Sequence, residues 1–196
     1  MKEMLDVYDD ELKIIDTKPR EEVHKFGLKH KVVQCYIIKK TKECTWVYFQ
    51  QRAWDKDTCP GMYDIACAGH VDAGEDFNYS MKRELSEEVG IDAEDKNLKY
   101  AGTKFEYFKK GECIDDEICE LFILKVEEDK SIKINEELLD MVKAPFKEYE
   151  KWTKGESEVL NAYSIIDNKK VELNKENSCP HIKEFNENLI CRIKEI

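Results

Sequence analysis

Residues 69–91, GHVDAGEDFNYSMKRELSEEVGI, decide how the rest of the chain is read. From Phe77 the apolar residues Phe77, Met81, Leu85 and Val89 return every fourth position. In a 3.6-residue period that spacing draws one buried stripe along a helix. Beside the stripe Glu84, Glu87 and Glu88 stand at i, i+3 and i+4, so their carboxylates share one patch. Like charges at this spacing cost roughly 0.2–0.5 kcal/mol per pair, and partial burial raises the cost. A divalent cation removes the conflict, because grouped carboxylate oxygens are the donors that Mg²⁺ and Mn²⁺ take up. On an acidic chain the same cluster also reads as an ordinary solvated face. Gly69 and Gly90 bracket the helix, where close approach or a left-handed turn is needed.

Written as a spacing, the stretch is Gly69, five residues, Glu75, seven residues, Arg83-Glu84-Leu85, one residue, Glu87-Glu88, one residue, Gly90-Ile91. This resembles the Nudix box, the signature of hydrolases acting on nucleoside diphosphates linked to another group, and every specified position is filled. The resemblance implies an α/β fold in which a loop, helix and loop pack on a mixed β-sheet, an α/β/α sandwich. It also implies that the Gly69 carbonyl and the carboxylates of Glu84, Glu87 and Glu88 hold Mg²⁺ or Mn²⁺. Glu75 and Arg83 would pair to brace the loop, and Arg83 has the planar fork for it.

At 196 residues the chain has room for one domain with a sizeable core and some extra elements. We expect a single domain over 1–196, with the box at 69–91 and a C-terminal extension from about 136. A net charge of -11 opposes a nucleic acid polymer, which calls for clustered Lys and Arg, and it opposes an anionic membrane. It leaves room for a small phosphorylated substrate, a nucleotide or nucleoside diphosphate derivative, because bound metal reverses the local field. The N-terminal MKEMLDVYDDELKII lacks a signal-length apolar core, so a cytoplasmic location is expected. The eight cysteines are dispersed without a C-x-x-C pair and read as reduced, partly buried residues.

In chain order, apolar runs around Asp9-Asp10 suit an N-terminal hairpin, and Lys18 to His24 a connector or single helical turn. Val32 to Ile38 and Thr45 to Phe49 are β-rich and read as adjacent strands joined by a turn at Lys39 to Glu43. Ala53 to Met62 is a loop, and Ile65 to Ala68 a short strand running into Gly69. After the helix, Lys99 to Phe108 and Ile118 to Val126 form a hairpin around a turn at Gly111 to Asp116. Glu136 to Trp152 holds helix-compatible pieces broken at Pro145, and Ser164 to Ile166 and Val171 suit short edge elements. His181 to Ile196, with Ile182, Phe185, Leu189 and Ile193 at helical spacing, is a terminal helix.

Arg52 and Lys56, at the strand end and in the loop before the box, are placed to meet substrate phosphate, though surface charge reads as well for each singly. The family resemblance puts a further carboxylate beyond the box, and Glu117 is its candidate as metal ligand or proton acceptor. A hydrolase would attack phosphorus with water, and Glu84 or Glu117 would take the proton. Residues 20–126 also resemble isopentenyl-diphosphate isomerase: His70 matches a metal-binding histidine, His24 and His30 an upstream pair, and Asp115 and Glu117 two acidic ligands. Ordinary hydrogen-bonded or surface histidines remain the plainer reading of the three. The isomerase cysteine directly precedes the glycine, whereas Ala68 stands there here and Cys67 faces the other side of the sheet. The complete box and this displaced cysteine favour a hydrolase of an isomerase-like subgroup. A nucleotide sensor without turnover usually lacks box carboxylates, which are all kept. Trp54, Tyr63, Phe105 and Tyr107 offer stacking faces for a base or core packing, and edge elements at either end offer surfaces for a homodimer.

Overall fold

Two apolar runs flank Asp9-Asp10, and the chain reverses between them. The computed structural model describes residues 2–56, 58–110, 113–135, 138–184 and 186–196. Strands β1 (Met4–Tyr8) and β2 (Ile14–Pro19) pair antiparallel, and the Asp9 carboxylate closes the turn by accepting from the N–H groups of Glu11 and Lys13, each at 2.9 Å. Helix α1 (Arg20–Phe26) starts after Pro19, whose fixed φ suits a helix entrance, and stops at Gly27 with φ 60°. The expected connector is thus a seven-residue helix.

The remaining elements are β3 (Lys29–Lys40), β4 (Thr45–Arg52), β5 (Tyr63–Ile65), β6 (Cys67–His70), α2 (Phe77–Val89), β7 (Leu98–Lys110), β8 (Cys113–Lys125), β9 (Leu138–Pro145), α3 (Phe146–Thr153), β10 (Leu160–Ser164), β11 (Lys170–Leu173) and α4 (Glu187–Glu195). The main sheet runs β11-β10-β9-β4-β3-β8-β7. It is mixed: β3 and β8 are parallel, and the other pairs antiparallel. β3 and β4 share only the register Ile38–Val47 to Lys40–Thr45 and then diverge. The short strands fill the gap, β5 pairing with β4 and β6 with β3. That divergence opens the sheet where Gly69 and His70 lie.

Side chains alternate across β3 with period two. Val33, Cys35 and Ile37 face one core with Met81, Leu85 and Val89 of α2. Val32, Tyr36 and Ile38 face the other, with Trp152 of α3 and Leu189, Ile190 and Ile193 of α4. Helices therefore cover both faces, and the architecture is the α/β/α sandwich. Among the described residues no helix is long and apolar enough to cross a membrane.

Three expectations need correction. Residues 138–145 form strand β9 between β4 and β10, not helical pieces. A central strand is buried on both faces, so its apolar run carries no clean period; Pro145 ends it and opens α3. Of the turn expected at 111–116, Cys113 to Asp116 already belong to β8; residues 111 and 112 lie outside the described residues. The terminal helix begins only at Glu187, and Ile182 sits in a separate 3-10 turn, Pro180–Lys183, with Phe185 outside the described residues.

Leu85 is fully buried on α2, so Leu85→Ala is expected to cost about 2–5 kcal/mol of stability. Ile166, 64% exposed, should change it by less than about 0.5 kcal/mol when made alanine. Urea unfolding of both variants checks this; equal losses would contradict the assignment of the stripe to the core.

Candidate active site

Helix α2 is seated by local chemistry at both ends. Asp76 caps its start, its carboxylate accepting from Asn78 N–H at 2.9 Å and Tyr79 N–H at 3.4 Å. Gly90, with φ 63°, closes it in the left-handed conformation. The stripe then presses the helix onto β6 so closely that a Cβ at Gly69 would lie 2.1 Å from the Glu84 carboxyl carbon. Only glycine leaves room for that carboxylate.

The three glutamates fall in different surroundings. Glu84 is nearly enclosed and accepts from Arg83 Nη1 at 2.7 Å. Glu88 is buried, and one oxygen accepts from the Ala68 N–H at 3.2 Å. Glu87 stays 62% exposed on the outer side, 3.3 Å from Arg83 Nη1. Arg83 also donates to the His70 carbonyl at 3.2 Å and to Glu75 at 3.4 Å. Burial, reinforced by the Glu88 and Glu87 charges and opposed by Arg83, lifts the Glu84 carboxyl to about 7.

These groups open into a cavity of about 590 Å³. Strand register supplies a second set of acids. Glu106 of β7 lies directly across from Glu117 of β8. Burial and then the Glu106 and Asp115 charges push Glu117 up to about 8. Burial alone would raise Glu106 too, but Lys104, His181 and the Gln34 hydrogen bond together hold Glu106 below its usual value. Gln34 donates to Glu106 at 3.0 Å.

The third set is imidazole. His24 comes from α1, His30 from β3 and His70 from β6, and their ring centroids lie 5.1 to 5.4 Å apart. Nδ1 of His30 is 2.9 Å from the Leu28 carbonyl, which fixes that nitrogen as the donor. Among the described residues, Nε2 of His30 is buried without a hydrogen-bond partner. Burial, and then the His70 ring, pull His30 down to about 4. Around the cluster, Asp115 reaches His24 at 3.6 Å and Glu3 reaches His70 at 2.9 Å. Among the described residues, His24, His30 and His70 bring three donor atoms within 4.8 Å of one another, as do Glu106, Glu117 and Cys119. The box glutamates are spread more widely than either set.

A fourth wall comes from the strand ends and the C-terminal segment. Arg52 lines the cavity, but its guanidinium is committed: Nη1 to Asp64 at 2.8 Å, Nε to the Thr58 carbonyl at 3.0 Å and Nη2 to Thr58 Oγ1 at 3.3 Å. Asp64 Oδ1 meets His181 Nε2 at 2.5 Å. Burial would raise Asp64, yet His181 and Arg52 hold it well below the usual carboxylate range. Asp64 in turn overcomes the burial of His181 and lifts it to about 9. Lys56 also lines the cavity.

Cys67 is buried in the α2 core while Ala68 lines the cavity, as alternation along β6 requires. Of the aromatics, Tyr63 is core, Tyr107 lines the cavity at 68% exposure, and Phe105 and Trp54 are exposed away from it. Sequence reading missed Asp64 and His181. The one available signal was an acid inside the apolar run Tyr63-Asp64-Ile65, since a buried carboxylate requires a partner.

The chain matches the model of the NUDIX domain over residues 28–163. It is similar to an uncharacterised Nudix hydrolase of Clostridium acetobutylicum, 34% identical over 188 residues covering 91% of each chain. It is also similar to isopentenyl-diphosphate Delta-isomerase of Paenarthrobacter aurescens, 26% identical over 125 residues, which cover 63% of this chain and 66% of the other. Among solved structures, a MutT/nudix family protein from Enterococcus faecalis superposes with TM-score 0.52 at 13% identity, covering 84% of this chain and 66% of that one.

The titrations make a signed prediction for metal-free protein. Glu84 and Glu117 are raised from 4.5 to about 7 and about 8, and His181 from 6.5 to about 9. Folded protein therefore holds protons that the unfolded chain has released, and stability falls as pH rises. His30 works the other way only between about 4 and 6.5. Cys59, lowered by its contact with the Cys179 thiol, works in the opposite direction. From pH 6.5 to 8, in chelator, the urea midpoint should drop, and Glu117→Gln should flatten the slope. A midpoint that climbs over that window rules out these assignments.

Proposed function

The chain belongs to the NUDIX family and is a Nudix pyrophosphohydrolase, and from that premise we propose that it uses divalent metal to cleave a nucleoside diphosphate derivative or a nucleoside di- or triphosphate. The observation that carries the metal reading is the packing of Glu84 against Gly69, beside buried Glu88. Two enclosed carboxylates on one helix turn are costly without a cation, and hard oxygen donors fit Mg²⁺ or Mn²⁺. Glu84, Glu88, the rim residue Glu87 and the Gly69 carbonyl would hold it. Such an ion supplies charge neutralisation on the diphosphate and a more acidic water.

The chain's own residues then have separable tasks. Arg83 tethers the box through Glu75, Glu84, Glu87 and the His70 carbonyl, so the acids keep their spacing when substrate enters. Glu117, raised toward neutrality, is poised to accept a proton from water attacking phosphorus. Lys56 lines the cavity where it would meet substrate phosphate, while Arg52, already engaged by Asp64 and Thr58, would contribute its charge from the wall. The histidine cluster supports a second cation site: His30 offers a buried lone pair at Nε2, and His24 and His70 complete three donors within 4.8 Å. Imidazole nitrogens favour Zn²⁺ or Fe²⁺ over Mg²⁺. This cluster, with Asp115 and Glu117, is what also resembles the isomerases. Ala68 beside Gly69 and the burial of Cys67 argue against isomerisation, because no thiol stands at that place in the cavity.

The double change Glu87→Gln with Glu88→Gln is expected to lower turnover by about 100-fold or more, since such ions supply several kcal/mol of transition-state stabilisation. A screen of phosphorylated metabolites with Mg²⁺ and Mn²⁺, isopentenyl diphosphate among them, with products identified by mass, reads it; intact turnover in the double variant refutes the mechanism. For the histidines, chelator-stripped protein titrated with Mn²⁺ or Zn²⁺ should bind one equivalent fewer when His30 is changed to Gln. Unchanged stoichiometry removes that site.

A further inference from the structure

Asp64 is the acid in a strand otherwise apolar, 4% exposed between Tyr63 and Ile65. Both its oxygens are occupied: Oδ2 by Arg52 at 2.8 Å, Oδ1 by the Ile65 N–H at 2.7 Å and His181 Nε2 at 2.5 Å. One carboxylate thus sits between Arg52 and His181, and with both protonated the three side chains carry a net positive charge that Glu106 also faces. The surplus stands out because the chain is strongly acidic, at -11, and the cavity is lined by Glu3, Glu84, Glu88, Glu106, Asp115 and Glu117.

The position of His181 is built by backbone. Tyr63 N–H donates to the Asn177 carbonyl and Cys179 N–H to the Tyr63 carbonyl, each at 2.8 Å, forming a parallel bridge between Tyr63 and Ser178. The 3-10 turn from Pro180 then sets the imidazole over β5. With Nε2 held by Asp64, Nδ1 is the ring's remaining polar atom. The ring lines the cavity with 28% of its side chain exposed, and no hydrogen bond to Nδ1 is made among the described residues.

We propose that His181, oriented by Asp64, is a substrate-contacting residue whose Nδ1–H donates to a phosphoryl oxygen of the bound diphosphate. The proposal rests on the diphosphate reading above and adds an anion contact from the C-terminal segment, outside the box. Asp64 is then a positioning residue: its charge keeps the imidazole protonated on both nitrogens, so that Nδ1 donates. A neutral ring held at Nε2–H would present a lone pair to an anion, which repels it.

The test uses the full chain with Mg²⁺ and inorganic pyrophosphate as the probe. Long-range ¹H–¹⁵N spectra resolve the four histidine rings, and His181→Gln identifies its own signals. Saturable movement of the His181 Nδ1 resonance on adding pyrophosphate is expected, with affinity about 10- to 100-fold weaker in His181→Gln, the range for a hydrogen bond to a charged group. Asp64→Asn should lower the midpoint of His181 ring titration from about 9 toward 6.5 and weaken pyrophosphate similarly. If wild-type protein binds pyrophosphate while Nδ1 stays still and His181→Gln binds equally well, His181 is only a clamp and the proposal falls while the diphosphate reading stands. If wild-type protein binds no pyrophosphate, both fall. Backbone-to-ring correlations assign the His181 signals in unaltered protein as well, so its spectra decide this even if a variant fails to fold.

Discussion

Contact between a helix carboxylate and strand backbone sets the geometry of this molecule. Glu84 lies where a side chain at position 69 would be, so the carboxylate can rest against β6 in this position because that residue is glycine. Glu88 takes the neighbouring Ala68 N–H, an otherwise unpaired donor at the strand's edge. Beneath them Met81, Leu85 and Val89 fix the helix on the sheet at full burial. Apolar packing therefore supplies the adhesion, and the carboxylates are held in an enclosed setting that they would not choose alone. Every other wall of the cavity is arranged around that fixed corner.

The divergence of β3 from β4 explains why the corner opens into space. Past the pairing of Ile38 with Val47 the two strands separate, and β5 and β6 occupy the widening gap with a break at Ala66. Parallel pairing of β3 with β8 then carries His30 beside Glu117, and β6 carries His70 beside Val32. Three sets of polar groups, from α2, from β7 with β8, and from α1, β3 and β6, thus reach one cavity. The acids among them share a low-dielectric space, which is why Glu84 and Glu117 are both driven toward neutrality.

The parts of this arrangement legible in the sequence are those that depend on local spacing. The α2 stripe, its flanking glycines and the Glu75–Arg83 pair lie within one short run whose period and motif can be read directly. Strands with one exposed face, such as β7, also announce themselves by alternation. β9 did not, because burial between β4 and β10 removes the contrast between its two faces. The histidine cluster was legible only through the resemblance to the isomerases, since His24, His30 and His70 lie on three different elements that strand register brings together. The Asp64–His181 contact was out of reach, because a backbone bridge joins residues more than a hundred positions apart and each taken singly looks like an ordinary core or surface residue.

The bridge between Tyr63 and Ser178 bears on how the cavity comes into being. Its walls are drawn from Glu3 near one end of the chain to Glu184 near the other. Contacts of such long sequence separation form late, after the loops between them have lost their freedom. A nascent chain can therefore complete the box helix and most of the sheet while the cavity still gapes along one side. The enclosed chamber arrives only when the final segment docks, so the acids stay hydrated until the scaffold around them is finished.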